Sequence, residues 1–294
     1  MNRKQLVQQI FSKNSYLCIG LDTDPAKLPE SLKGDPDGIL VFNKEIIDAT
    51  RDHCVAYKVN TAFYEAQGVK GWEIMAKTMD YIPTTHFKIA DAKRGDIGNT
   101  SSYYAKAFFE EFHCDAITVA PYMGKDSLQP FLNFKDKWTI VLGLTSNPGA
   151  RDFEMQRIIT QTNSFVEAKE LALDVASHKE EYLYETVLRK VSEWGSPENL
   201  MFVVGATRTG EFNNIRTLIP ENFLLVPGVG TQGGDLKEIS EQAFTRDCGL
   251  LVNVSRSIIY ASNGDDFSDK AALSALEYQS EMREYLAQIK KRPQ

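Results

Sequence analysis

Short runs rich in β-branched and aromatic residues recur along the chain, separated by longer segments with apolar residues three and four positions apart. The runs are Tyr16–Asp22, Val55–Asn60, His86–Ala92, Ala116–Pro121, Trp138–Thr145, Met201–Thr207, Phe223–Gly228 and Leu250–Ser255. Each is short enough for a buried strand. Ser101–Phe112, Leu236–Phe244 and Ala272–Ile289 carry the helical period most clearly. Strands alternating with helices imply right-handed βαβ units around a parallel sheet. Eight such units over 294 residues predict a (β/α)8 barrel, and residues 1–294 read as a single domain of that type. Residues 146–200 break the rhythm. Ser146–Asn163 is polar and contains Pro148-Gly149, and Phe165–Trp194 reads as one or two helices. A connection this long after the fifth strand predicts a lid or insertion.

Composition narrows the function without naming it. The chain is 43% hydrophobic and 25% charged, with a net charge of −7. That balance argues against nucleic-acid binding, which needs an extended basic face. An anionic ligand must be captured locally, by a few cations or backbone amides. Cys18, Cys54, Cys114 and Cys248 are widely spaced, and His53, His86, His113 and His178 show no metal-ligand spacing. No metal site is expected. No apolar run reaches membrane-spanning length, and Met1–Gln5 is not followed by the apolar core of a signal peptide. A cytoplasmic protein with reduced thiols and no membrane partner is the expectation.

In a barrel of this kind the chemistry sits at the C-terminal ends of the strands. Asp22 ends the first run, Lys58 and Asn60 the second, and Asp91 and Lys93 the third. Ser146 and Asn147 follow the fifth, Gly228–Gln232 the seventh and Arg256 the eighth. Strand alternation puts Phe87, Ile89, Asp91 and Lys93 on one face, so an apolar pair passes into an Asp/Lys pair. Asp96 lies beyond Gly95, where a turn aims it elsewhere. Charged groups at a buried strand end are costly unless paired, and Asp91 and Asp96 would keep the Lys93 ammonium charged and fixed. An exposed ion-pair network is the plain alternative, but exposed pairs contribute little and need no fixed spacing. Pro227-Gly-Val-Gly-Thr-Gln-Gly-Gly-Asp235 and Asn253-Val-Ser-Arg-Ser257 follow the last two strands. Glycines that let amides approach an anion, with Gln232 and Arg256 nearby, predict a phosphate site.

Taken together, Asp91-x-Lys93-x-x-Asp96-Ile97-x-x-Thr100, Cys18-Ile-Gly-Leu-Asp22, Tyr57-Lys58-Val, Pro227-Gly-Val-Gly-x-Gln232 and Ser255-Arg256-Ser-Ile resemble orotidine 5′-phosphate decarboxylases. The motifs run in order from the first strand to the eighth, and the wording is similar to the longer bacterial subgroup, as a stand-alone decarboxylase. The resemblance implies conversion of orotidine 5′-monophosphate to uridine 5′-monophosphate and carbon dioxide, without metal or organic cofactor. It implies that Lys93 donates a proton to the pyrimidine carbon C6 and that Asp91 sits beside the departing carboxylate. Asp96, Ile97 and Thr100 match positions given to a neighbouring subunit's site, which implies a homodimer with shared active sites. Asp22 and Lys58 match ribose-binding positions, Ser146 a pyrimidine contact, and Gln232 and Arg256 phosphate contacts. Ser255 stands where many relatives have glycine, leaving its backbone amide to serve the phosphate. The lid start Thr145-Ser-Asn-Pro-Gly149 only approximates the shorter relatives. The runner-up on the same barrel is a metal-dependent sugar-phosphate decarboxylase or hexulose-phosphate synthase, which shares Asp-x-Lys-x-x-Asp. Those relatives generally carry a small residue at the position of Ile97 and lack the Ile-x-x-Thr continuation. A catalytically silent nucleotide-binding barrel is a third reading, disfavoured by the complete Asp91/Lys93/Asp96 set.

Overall fold

The structure, a computed structural model, describes residues 1–162, 177–230 and 233–289. Ten strands are present among them: β1 (Leu17–Gly20), β2 (Ala56–Asn60), β3 (Phe87–Arg94), β4 (Ala116–Val119), β5 (Trp138–Leu144), β6 (Arg157–Thr162), β7 (Ser177–Tyr182), β8 (Leu200–Val204), β9 (Phe223–Pro227) and β10 (Leu250–Val254). Eight close into a barrel in the order β1-β10-β9-β8-β5-β4-β3-β2, every pairing parallel. The expected (β/α)8 barrel is therefore present, with each barrel strand inside or within two residues of its predicted run.

The strands are almost wholly buried because helices cover their outer faces while their own side chains fill the interior. The N-terminal end of the barrel is sealed. Trp138 packs edge-on against Phe87 and Phe223, with ring centroids 5.8 and 5.9 Å away, and its indole N–H donates to the Met1 carbonyl at 2.9 Å. Arg3, on the first helix (Arg3–Lys13), lies over the Phe223 ring and donates to the carbonyls of Pro197 and Glu221. The opposite end stays open. There the registers Gly20↔Lys58, Asn60↔Asp91 and Asn253↔Pro227 bring the polar strand ends to nearly one level.

The insertion after β5 differs from expectation. β6 and β7 form a separate antiparallel hairpin, pairing Arg157 with Tyr182 and Thr162 with Ser177. The polar stretch thus contains a strand, and the middle of the segment read as helical contains another. Residues 163–176 lie outside the described residues. The helix that does occur, Leu183–Ser192, packs on β5 and is the ordinary connection to β8. The physical reason is composition. Ser-His-Lys-Glu-Glu-Tyr offers long polar side chains that suit a helix, and only pairing with the β-branched Arg157–Thr162 strand makes it extended.

Candidate active site

The end of β3 is irregular, and that irregularity builds the site. Ala90 pairs with Ile117 but Arg94 pairs with Val119, so four steps of β3 match two of β4. Such a bulge re-aims side chains. Lys93 takes up the slack with φ +47°, a left-handed conformation that costs a non-glycine residue about 1–3 kcal/mol. Thr118 of β4, 1% exposed, compensates. Its hydroxyl oxygen accepts from the Lys93 backbone N–H at 2.9 Å and donates to Asp91 Oδ1 at 3.0 Å. Lys93 Nζ returns to Asp91 Oδ1 at 2.5 Å. Asp91 and Lys93 therefore do meet, through a bulge and a left-handed residue rather than through strict alternation.

Two more charges extend the row. Lys58 Nζ lies 3.0 Å from Asp91 Oδ2 and 3.4 Å from Asp22 Oδ1. Along the alternating row Asp22–Lys58–Asp91–Lys93 the side chains are 20%, 4%, 11% and 50% exposed, so the inner Lys58–Asp91 pair is buried and the row opens to solvent at Lys93. Burial alone would raise the Asp91 pKa, but the ammonium groups of Lys58 and Lys93 outweigh it and hold that carboxyl well below the usual range. Burial would likewise lower Lys58, and the carboxylates of Asp22 and Asp91 together push it above its ordinary value. All of these groups line one cavity of about 330 Å³ at the open end of the barrel, within the range of small-molecule sites.

Other expected residues surround the same cavity. Ser146 lines it after β5, close against Gly205, where a Cβ would come within 2.6 Å of the Ser146 nitrogen. The flanks of Ser146 are clamped. Glu154 accepts from the Thr145 N–H at 2.6 Å, and Arg208 donates to the carbonyls of Thr145 and Asn147. Gly228 and Val229 line the cavity after β9, and Gly228 and Gly230 both have positive φ, as a tight amide-presenting loop requires. Gln232 lies outside the described residues. Ser255 donates to the Gly20 carbonyl at 2.9 Å, and Gly20 must lack a side chain because a Cβ would lie 2.8 Å from that of Ser255. Arg256 stands exposed on the rim of the cavity.

Asp96, Ile97 and Thr100 do not line this chain's cavity. Asp96 Oδ1 accepts from the next residue's N–H at 2.7 Å, and Ser101 donates to its carbonyl. Among the described residues Asp91, and not Asp96, forms the ion pair with Lys93, because the chain leaves the barrel at Arg94 and turns outward. Ile97 is 57% exposed. Sequence reasoning missed Thr118 and the apolar wall formed by Leu142, Val203 and Leu225. A hydroxyl inside Ala116-Ile-Thr-Val119 was the available signal for the first. Among the described residues no three His, Cys, Asp or Glu side chains converge as a metal-ligand group. Asp22 and Asp91 both face the Lys58 ammonium, so a divalent cation between them would compete with a buried positive charge.

Comparison with known proteins gives this arrangement its context. The family model described as "Orotidine 5′-phosphate decarboxylase / HUMPS family" matches residues 15–267. The chain is 49% identical over 291 residues to the orotidine 5′-phosphate decarboxylase of Phocaeicola vulgatus, covering 98% of this chain and 100% of the relative. It is 50% identical over 289 residues to that of Flavobacterium johnsoniae, covering 97% and 98%. Among solved structures, Leishmania donovani OMP decarboxylase superposes with a TM-score of 0.73 at 29% identity, covering 95% of this chain and 99% of that one. With a match over most of its length and relatives half identical from end to end, the chain belongs to the orotidine 5′-phosphate decarboxylase family.

Proposed function

We propose that the protein decarboxylates orotidine 5′-monophosphate to uridine 5′-monophosphate and carbon dioxide, in pyrimidine biosynthesis, with Lys93 as the proton donor. The named relatives support the reaction over the hexulose-phosphate alternative. The observation that carries the residue roles is the row Asp22–Lys58–Asp91–Lys93, two carboxylates and two ammonium groups on one wall of one cavity.

The placement of the described groups supports the following roles. The phosphate occupies the Gly228–Gly230 end with Arg256, and Gln232 is assigned there from the motif. Asp22 and Lys58 take the ribose, Ser146 the pyrimidine edge, and Leu142, Val203 and Leu225 offer an apolar surface to the ring. Asp91 lies beside the substrate carboxylate. When the bond from C6 to that carboxylate breaks, its electron pair remains on C6 as a localised carbanion. The Lys93 ammonium stabilises that charge and gives C6 its proton, leaving a neutral amine. The half-exposed side chain then regains a proton from solvent. One preorganised donor is worth roughly 3–4 kcal/mol, against up to about 20 kcal/mol for a hard reaction. Phosphate and ribose binding must supply much of the rest by holding the ring against Lys93 and excluding water.

Asp96, Ile97 and Thr100 serve the second subunit of a homodimer, a reading supported by their outward placement and the exposure of the apolar Ile97 and Tyr103. The β6–β7 hairpin acts as the lid. A cytoplasmic location accords with four buried free cysteines, and no described helix is long and apolar enough to cross a membrane. The decisive variant is Lys93→Ala, assayed for turnover and, by calorimetry, for uridine 5′-monophosphate binding. Turnover should vanish while binding stays measurable, and near-normal turnover would refute the assignment.

A further inference from the structure

Beneath Asp22 lies a fully buried polar network that the reaction as described does not use. Asn43 sits on the core face of the helix Gly38–Thr50, 0% exposed between apolar neighbours Phe42 and Ile46. Its Nδ2 donates to Tyr64 Oη at 2.9 Å and to Thr78 Oγ1 at 3.1 Å, and its Oδ1 accepts from Thr23 Oγ1 at 2.6 Å. Tyr64 in turn donates to the Leu21 carbonyl at 2.9 Å. On the other side, Tyr260 donates to the Asp22 carbonyl at 3.2 Å and accepts from the Asp24 N–H at 2.7 Å. Four successive residues, Leu21 to Asp24, are thereby tied to the side chains of Tyr64, Asn43 and Tyr260.

Packing alone does not ask for this. Buried amide and hydroxyl groups are costly unless fully paired, and apolar residues of similar size would fill the same space. What the network achieves is directional. β1 ends at Gly20, so Asp22 stands on irregular backbone, and among the described residues only the 3.4 Å contact to Lys58 restrains its carboxylate. Pinning the carbonyls on and before Asp22 and the hydroxyl after it fixes the direction of its Cα–Cβ bond.

We propose that Tyr64, Asn43 and Thr23 are positioning residues that aim Asp22 at the substrate ribose. This rests on the assignment of Asp22 to the ribose made above. The test uses the full chain carrying Tyr64→Phe, Thr23→Val or Asp22→Asn, with inhibition constants measured for uridine 5′-monophosphate and its 2′-deoxy and 3′-deoxy forms. Asp22→Asn should weaken the ribonucleotide while leaving unchanged the deoxy form that lacks the hydroxyl it holds. Tyr64→Phe and Thr23→Val should repeat that pattern, with about tenfold weaker ribonucleotide binding, the scale of a slightly misplaced group. Thr23→Val carries the test if Tyr64→Phe does not fold. Equal weakening of all three nucleotides, or none, overturns the inference, because a merely structural network would not select one hydroxyl. An Asp22→Asn chain without the selective loss refutes the ribose assignment itself. A selective loss in Asp22→Asn but not in the other two overturns the network's role alone.

Discussion

Thr118→Val is the sharpest perturbation of the proposed chemistry, since it removes one oxygen and almost nothing else. That oxygen is 1% exposed with its residue, accepts the Lys93 N–H and donates to Asp91. Without it, the Lys93 N–H is left unpaired next to a buried strand end, at a cost of about 1–3 kcal/mol. The hydrogen bond to the Asp91 carboxylate, of the charge-assisted kind worth about 1.5–3 kcal/mol, goes too. Lys93 already holds φ +47°, and its backbone hydrogen bond is part of what keeps it there. The chain should therefore relax out of the left-handed conformation and recover part of the strain, moving the ammonium away from its place beside Asp91. Stability should fall by about 2–3 kcal/mol, less than the sum because of that relaxation. Turnover should fall about 10- to 100-fold, or about 1.4–2.7 kcal/mol of barrier. Uridine 5′-monophosphate should bind nearly as before, since the groups assigned to its phosphate and ribose are not those that Thr118 touches. Urea unfolding, continuous spectrophotometric decarboxylation and product inhibition measure the three quantities. Turnover within about twofold of the parent, in a chain destabilised as expected, would refute the idea that the bulge aims Lys93.

Two further predictions follow from the charge row and the outward turn. Asp91 has its pKa depressed in the folded chain, so its contribution to stability is complete above the ordinary carboxylate range and is lost as pH falls towards the lowered value. The urea midpoint of the parent should thus exceed that of Asp91→Asn by a constant margin above about pH 5 and by a shrinking one below about pH 4; a margin that widens in acid would contradict the pairing. Mixing inactive Lys93→Ala and Asp96→Asn chains should restore about a quarter of parental activity, because random pairing makes half the dimers mixed and each mixed dimer has one intact site of two. No recovery in verified mixed dimers would remove Asp96 from the neighbour's site.

The barrel was legible because its signal is redundant: eight apolar runs and the helices between them all demand the same closed parallel sheet. The hairpin was not, since nothing local separates Ser177–Tyr182 from a helix until Arg157–Thr162 is beside it. At the site the same division appears within six residues. The identity of Asp91 and Lys93 pointed to a paired strand end, and they are paired. The means of pairing was invisible, because a bulge depends on how β3 meets β4 and a left-handed lysine contradicts what its own residue type prefers. Thr118 escaped notice for a related reason: its hydroxyl matters only once the bulge presents an unpaired N–H to it. Local rules therefore fail at the residue assigned the proton transfer and hold through most of the surrounding barrel. Strain there, offset by a buried threonine, is what a fixed ammonium requires: an unstrained Lys93 would follow the strand and lose the 2.5 Å contact that orients it.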